Sequence, residues 1–417
     1  MGHLEVGRKR VIIEGVRPEI DGGRYPAKRV VGDRVVVEAD IYADGHDAIS
    51  AVLQYQKAGD VEWQETPMVQ QSNDRWRAVF EVSEIGYYRY TVLAWVDRFR
   101  SWRESLRKHA EAKQEVTVEI LIGADLLVET SQRASASDKR KLLAYSSELR
   151  SGSLNRVERA EDLNLHAIME KYQERGAATR YEKELTIAVD REKARFSTWY
   201  EMFPRSCSTN PGKHGTLKDC EKRLEYIANL GFDVLYLPPI HPIGETHRKG
   251  RNNSLRAGSK DPGSPWAIGG VDGGHKDIHP ELGTLSDFRK LVKKAEDCGV
   301  ELAMDLALHC SPDHPYVREH PEWFRNRPDG TIQYAENPPK KYQDIYPLDF
   351  SGEHWREIWD ELRSVVLFWI QQGVRIYRVD NPHTKPFSFW EFLINGVKRE
   401  HPDVIFLAEA FTRPKVM

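Results

Sequence analysis

From Arg195 onward, short apolar runs alternate with stretches in which apolar residues recur every three or four positions. The runs at 198–203, 234–237, 302–308, 375–380 and 404–409 read as strands. Between them, Leu217, Cys220, Leu224 and Ile227 share one helical face, as do Leu285, Phe288, Leu291, Val292 and Ala295. Trp355, Ile358, Trp359, Leu362, Val366 and Trp369 mark a third helix, and residues 387–399 a fourth. Each of Gly231, Gly299 and Gly373 follows a helix, where a left-handed cap is wanted. Such alternation implies a parallel sheet with right-handed crossovers. Two connections are long, 238–283 and 310–353. Loops of that length are uncommon unless functional, and both follow strands, on the side where a (β/α)8 barrel carries its active site. The prediction for 193–417 is therefore an α/β fold, a TIM barrel with five of its strands present. An open sheet of this kind would leave an apolar edge, so the chain reads as a fragment of a longer protein.

The first part reads differently. Runs such as 34–39, 76–82 and 87–95 are rich in β-branched and aromatic residues at or near period two, separated by turn signals such as Gly32-Asp33 and Asp44-Gly45. This predicts a β-sandwich over 1–122, with a returning strand within 184–192. Across 123–183 the strand formers give way to Ala, Leu, Glu, Arg and Lys, with Leu142, Tyr145, Leu149, Leu165, Ile168 and Tyr172 at helical spacing. Ser151-Gly152-Ser153 interrupts that pattern, so a helical hairpin insert is expected.

Composition narrows the class. With a net charge of −3, the chain offers no broad nucleic-acid footprint, and Lys139-Arg140-Lys141 reads as a solvated helix face. Residues 1–9 are charged rather than apolar, unlike a signal peptide, and no apolar run approaches the ~20 residues of a membrane span. The four cysteines, Cys207, Cys220, Cys298 and Cys310, form no Cys-x-x-Cys pair and suit reduced thiols in a cytoplasm.

Two strands end on carboxylates, Asp380 and Glu409. A carboxylate in a buried strand carries a desolvation cost that needs compensation. Two of them on adjacent barrel strands suit retaining glycosyl transfer, in which one attacks the anomeric carbon and the other is acid, then base. Arg378 points to the same side as Asp380 and can hold it ionised. Salt-bridged strand termini would place carboxylates at the same positions. His275 and His279 stand four apart, but in the long connection 238–283 and not on a helix, and His309 pairs with neither, so no metal or other cofactor is expected. Trp199 reads as core, while Trp266 and Trp323 stand open between core and sugar stacking.

The stretches 305–308, 378–380 and 408–409 follow the order of the first three α-amylase superfamily motifs. More narrowly, His241-Pro242-Ile243-Gly244, Lys249-Gly250-Arg251-Asn252-Asn253, Asn337-Pro338-Pro339-Lys340-Lys341-Tyr342, Asp380-Asn381-Pro382-His383-Thr384-Lys385-Pro386 and Glu409-Ala410-Phe411-Thr412 resemble the α-1,4-glucan:maltose-1-phosphate maltosyltransferases. The resemblance covers essentially the whole chain. It implies Asp380 as nucleophile and Glu409 as general acid/base. It implies donor contacts from Lys249, Asp344 and Asn381, and a phosphate held by Asn337, Lys340 and Tyr342. His309 stands where this family often carries Gln, and can donate to a sugar hydroxyl.

The chemistry is consistent with that set. A sugar phosphate is nearly a dianion at neutral pH; Lys340 offers a point charge and Asn337, Tyr342 and Asn381 neutral donors. Taken alone, Lys340 beside Lys341 reads more readily as a solvated loop pair than as a phosphate ligand. The expected partners are maltose 1-phosphate, an α-1,4-glucan acceptor, and a second copy of the chain bound through the N-terminal region. Two alternatives remain: a hydrolase of the same superfamily, and a catalytically dead fragment that only binds glucan or assembles with a partner.

Overall fold

A computed structural model describes residues 7, 9–151 and 155–417. Most of 1–9, and Gly152 and Ser153, lie outside the described residues. The chain divides into two units, Met1–Asp190 and Arg191–Met417.

In the first unit, Val11–Arg17, Arg34–Ala43, Arg75–Glu81 and Val69–Gln70 form one sheet in that order. A second sheet runs Ala27–Val30, Leu185–Asp190, Gly86–Val96, Ile49–Lys57 and Gln64–Pro67, with Thr179–Arg180 also on Gly86–Val96. Alternate residues turn inward, Val35, Val37, Ala39 and Ile41 from the first sheet and Tyr88, Tyr90, Val92 and Ala94 from the second, and they share one core. Leu185–Asp190 runs parallel to Ala27–Val30 and antiparallel to Gly86–Val96.

The helices begin earlier than the sequence reading put them, at Arg98 rather than 123. Asp97 caps that helix by accepting from the Arg100 N–H at 2.9 Å, and Trp102 and Leu106 bury one turn apart. Thr117–Ser131 is apolar on most faces, so no 3.6-residue period separates it from a strand. The expected hairpin is in fact five helices among the described residues: Arg98–Glu111, Thr117–Ser131, Ala136–Arg150, Arg156–Ala160 and Leu163–Lys171. They enclose their own core of Trp102, Leu106, Ile120, Leu127, Leu142, Leu149 and Leu165. Residues 139–141 are exposed on the third of them, as a solvated charge run should be.

The second unit is built on a parallel sheet of β1 (Trp199–Glu201), β2 (Val234–Leu237), β3 (Glu301–Leu306), β4 (Ile376–Asp380) and β5 (Ile405–Glu409). Each strand pairs with the next in sequence. Helices fill the crossovers: Leu285–Asp297 before β3, Trp355–Gln371 before β4 and Phe387–Glu400 before β5. The expected single helix over 217–230 is split into Leu217–Glu221 and Leu224–Asn229, with the Arg223 N–H turned back to the Cys220 carbonyl. Capping boxes start two of these helices, Thr216 with Asp219 and Thr284 with Asp287. Gly231, Gly299 and Gly373 take φ of 85°, 76° and 102° at the helix ends, values that an L side chain resists. On the helix side, Leu235, Leu237, Leu302, Met304, Tyr377 and Val379 join the main core. β5 pairs on one side with β4, and its Leu407 is 45% exposed. No helix among the described residues is long and apolar enough to cross a membrane.

Candidate active site

Strand alternation and register set the other face of the parallel sheet. Val234, Tyr236, Ala303, Ile376 and Ile405, with Trp199 against them, form a small apolar layer. The same alternation, continued toward the C-terminal strand ends, gives Asp305, Arg378, Asp380 and Glu409. Asp305 stands in register with Arg378, and Asp380 with Glu409.

Arg378 holds the group together. Its Nη1 donates to Asp305 Oδ2 at 2.7 Å and to Asp380 Oδ1 at 3.0 Å, and its Nη2 to Glu409 Oε1 at 2.5 Å. The Tyr236 hydroxyl donates to Asp305 Oδ2 at 2.5 Å. The other Asp305 oxygen, Oδ1, is buried with no hydrogen-bond partner among the described residues. The alternative of paired strand termini is thus true of these carboxylates as geometry, but a simple pair would not need three acids on one guanidinium.

Their protons are held unequally. Burial pushes Asp305 up to about 7, against the pull of Arg378 and Tyr236. Burial also raises Glu409; Arg378 opposes the rise, and the hydrogen-bonded Asp380 beside it adds to it. Asp380 goes the other way. Burial works against its charge, but His309, Lys385 and Arg378, with the Asn381 hydrogen bond, outweigh burial and hold it below the usual carboxylate range. Burial and Lys385 push His309 itself down to about 4, so at neutral pH Lys385 and Arg378 are the cations that keep Asp380 ionised.

Around this centre, Asn381 adopts a left-handed backbone (φ 43°, ψ 54°) that Asn tolerates, and its Nδ2 donates to Asp380 Oδ2 at 3.3 Å. His309 is buried, and its Nε2 donates to the Trp266 carbonyl at 2.9 Å. Lys249 and Asp344 are both buried, with Nζ and Oδ1 3.7 Å apart. Burial raises Asp344 and Lys249 opposes that rise. Asn337 and Lys340 face each other across a two-stranded hairpin, Ala335–Asn337 against Lys340–Tyr342, and all three anticipated phosphate ligands on it are exposed.

The structure therefore brings Arg378, Asp380, Asn381, Glu409 and His309 together. It pairs Lys249 with Asp344 and collects Asn337, Lys340 and Tyr342 on one hairpin. No hydrogen bond or ion pair among the described residues joins that hairpin to the carboxylates. Trp323 is buried in the main core, while Trp266 is half-buried with its ring edge-on to Phe203 at 6.3 Å. Two contributors escaped the sequence reading. Tyr236 reads as one more apolar strand residue. Lys385 sits in the turn after β4, where spacing gives no orientation; burial pushes it down to about 8, against Asp380 and Asp305.

Among the described residues, two groups bring three possible metal ligands within 4.8 Å of one another: His275, Cys310 and His314, all buried, and His214, His279 and Glu281 nearer the surface. In the first, the imidazoles already have partners. His314 Nδ1 accepts from the Tyr316 N–H at 3.0 Å, so its Nε2 donates to His275 Nδ1 at 2.9 Å, and His275 Nε2 donates to the Ala307 carbonyl at 3.0 Å. Burial pushes His314 down to about 3 and His275 well below its usual value, so both are neutral links between the loops that follow β2 and β3.

A parallel sheet with carboxylates gathered at the C-terminal ends of its strands has its polar groups where α/β enzymes carry their active sites. Residues 201–369 match the family described as "Alpha amylase, catalytic domain". Residues 9–191 match "Alpha-1,4-glucan:maltose-1-phosphate maltosyltransferase, domain N/S". Similar proteins named alpha-1,4-glucan:maltose-1-phosphate maltosyltransferase include one from Chlorobaculum tepidum, 54% identical over 99% of this chain and 62% of its own length. Another, from Cereibacter sphaeroides, is 51% identical over 99% of this chain and 70% of its own length. Among solved structures, an α-amylase from Lactobacillus plantarum is 32% identical over 52% of this chain and 46% of its own, with a TM-score of 0.44. The chain belongs to the α-1,4-glucan:maltose-1-phosphate maltosyltransferase family, and it spans about 62% of the length of relatives such as the Chlorobaculum protein.

Proposed function

We propose that this chain carries the donor site and the catalytic pair of a retaining transferase that moves a maltosyl unit from α-maltose 1-phosphate to the non-reducing end of an α-1,4-glucan. The observation that carries this reading is the in-register pair with opposite proton affinities, Asp380 held below the usual carboxylate range and Glu409 above it. Asp380 attacks the anomeric carbon as the bond to phosphate breaks. Glu409 gives its proton to the departing phosphate. The glucan 4-hydroxyl then displaces Asp380 from the maltosyl ester and returns a proton to Glu409. Two inversions keep the α configuration.

Arg378 orients both carboxylates, and Asp305 with Tyr236 positions Arg378. Asn337, Lys340, Tyr342 and Asn381 supply donors to the phosphate. Lys249 and Asp344, buried at 3.7 Å, retain hydrogen-bonding capacity for donor-sugar hydroxyls, and His309, whose Nε2–H is taken by the Trp266 carbonyl, keeps Nδ1 as an acceptor for a sugar hydroxyl. The sequential parallel strands β1–β5 are read as part of a (β/α)8 barrel, and the two-sheet core of the first unit as a β-sandwich. The helices of the first unit leave Val118, Leu121, Ile122 and Leu143 exposed, which supports a homodimer built through that unit. Four free cysteines suit a reducing compartment, and the cytoplasm is the proposed location.

The test is phosphate release from maltose 1-phosphate by the intact protein with a short maltooligosaccharide present. Phosphate together with an acceptor lengthened by two glucose units is the expected result. New reducing ends from glucan alone, without phosphate, would make the protein a hydrolase.

A further inference from the structure

We infer that Cys207 and Cys220 form an oxidisable dithiol, closed to a disulfide by a hydroperoxide, in the connection between β1 and β2. The two sulfurs lie 3.6 Å apart, and the residues are 5% and 0% exposed. Cys220 Sγ–H points at Cys207 Sγ, and Cys207 donates in turn to the Phe203 carbonyl at 3.3 Å.

Backbone packing, not a chance meeting of side chains, holds them there. Cys207 closes the Pro204–Ser206 turn through its N–H to the Pro204 carbonyl at 3.0 Å. The chain then returns through Gly215, whose N–H donates to the Arg205 carbonyl at 2.8 Å. A Cβ on Gly215 would lie 2.3 Å from the Pro204 carbonyl oxygen and 2.8 Å from the Cys207 nitrogen, so only glycine lets the strands of this loop approach so closely. The next residue, Thr216, begins the helix that carries Cys220, and its carbonyl accepts from the Cys220 N–H at 3.1 Å.

The roles of the two thiols differ. The hydrogen bond from Cys220 holds Cys207 below the usual thiol range, while the same bond and burial raise Cys220. Cys207 is therefore the attacking thiolate. Its sulfur takes the terminal oxygen of the peroxide, the O–O bond breaks, and the other oxygen departs after gaining a proton, as water from hydrogen peroxide, the oxidant of the test below, or as an alcohol from an alkyl hydroperoxide. Cys207 becomes a sulfenic acid, oxidised by two electrons. Cys220 then attacks that sulfur, an S–S bond replaces S–O, and the hydroxyl leaves as a second water with the Cys220 proton. A dithiol reductant reverses the change.

A short chain of contacts links the pair to residues beside Asp380. Phe203, which loses its thiol donor on oxidation, packs on Trp266, whose carbonyl receives His309. Arg205, two residues before Cys207, donates to the Gly263 carbonyl in the long connection after β2 at 2.8 Å.

The experiment treats the intact native protein with hydrogen peroxide, alkylates it in denaturant and maps the peptides by mass spectrometry. The expected product is a Cys207–Cys220 cross-linked peptide, lighter by the two hydrogens lost and restored by dithiothreitol. With C220S, a dimedone adduct should accumulate on Cys207; with C207S, Cys220 should stay alkylatable. If all four cysteines remain alkylatable after treatment, or if the cross-link joins another pair, the inference is overturned. Because the readout is on thiols in the unsubstituted protein, it stands or falls apart from the transferase reading.

Discussion

Asp380 and Glu409 face each other in register across β4 and β5, one carboxyl held below its usual range and the other above it. The proposed mechanism requires Asp380 ionised and Glu409 protonated. Activity should fall as pH drops through the depressed pKa of Asp380, and again as pH rises through the raised pKa of Glu409. A bell-shaped profile of kcat/KM is the expected measurement. E409Q should lower the rate by about 10²–10⁴-fold and remove the alkaline limb. D380N should abolish trapping of a maltosyl–protein ester on acid quench; an ester that survives in D380N would reassign the nucleophile.

Arg378 lowers both carboxylates it touches in the catalytic pair. Its replacement by Gln should move both limbs of the profile to higher pH. It also strips the partner from Asp305, whose side chain is fully buried. Removing one member of such a pair costs about 3–5 kcal/mol, so R378Q should show a clear drop in Tm by calorimetry. An unchanged profile would mean that Lys385 alone holds Asp380 ionised.

Much of this centre was legible in the sequence because strand alternation is a strict rule. Asp380 and Glu409 end apolar runs, and Arg378 stands two before Asp380, so facing and adjacency followed without coordinates. The strand order followed too, since each crossover carries its own helix. The inward turn of Lys385 was not legible, because a turn has no period. The helices from Arg98 were missed for a related reason: a segment that is apolar on most faces, such as Thr117–Ser131, has lost the signal by which a helix is told from a strand. Asn337, Lys340 and Tyr342 were reached only through resemblance to a family, since three polar residues on an exposed hairpin look like any solvated loop.

Those hairpin residues give the sharpest test of the donor. A charge-assisted hydrogen bond to phosphate contributes about 1.5–3 kcal/mol. K340M should therefore raise KM for maltose 1-phosphate roughly tenfold or more, and leave any cleavage of plain α-1,4-glucan nearly unchanged. Equal loss on both substrates would assign Lys340 a structural part.

In an exposed helix, Gly to Ala usually stabilises by about 1 kcal/mol. At Gly123 the sign should reverse. A Cβ there would lie 1.9 Å from Trp102 Cζ2 inside the helical core of the first unit. G123A should destabilise that unit by about 1–3 kcal/mol, as overpacked cores do, read by denaturant unfolding.

Val118 and Ile122, one turn apart on Thr117–Ser131, are 63% and 50% exposed. If a second copy covers them, V118E combined with I122E should halve the mass seen by light scattering while leaving the far-UV circular dichroism intact. A monomer already present without the substitutions would remove the dimer from the proposal.

The clamp of three acids on Arg378 has one more consequence, which concerns electroneutrality. By formula charge, Asp305, Asp380 and Glu409 against Arg378 and Lys385 leave an anionic pocket, a poor host for a phosphorylated sugar. With Asp305 pushed to about 7, the cluster holds part of a proton near neutral pH, and the rise at Glu409 works in the same direction. In the proposed reaction that proton lessens the repulsion of a doubly charged donor, and the ionised carboxylate the donor meets is the proposed nucleophile, Asp380.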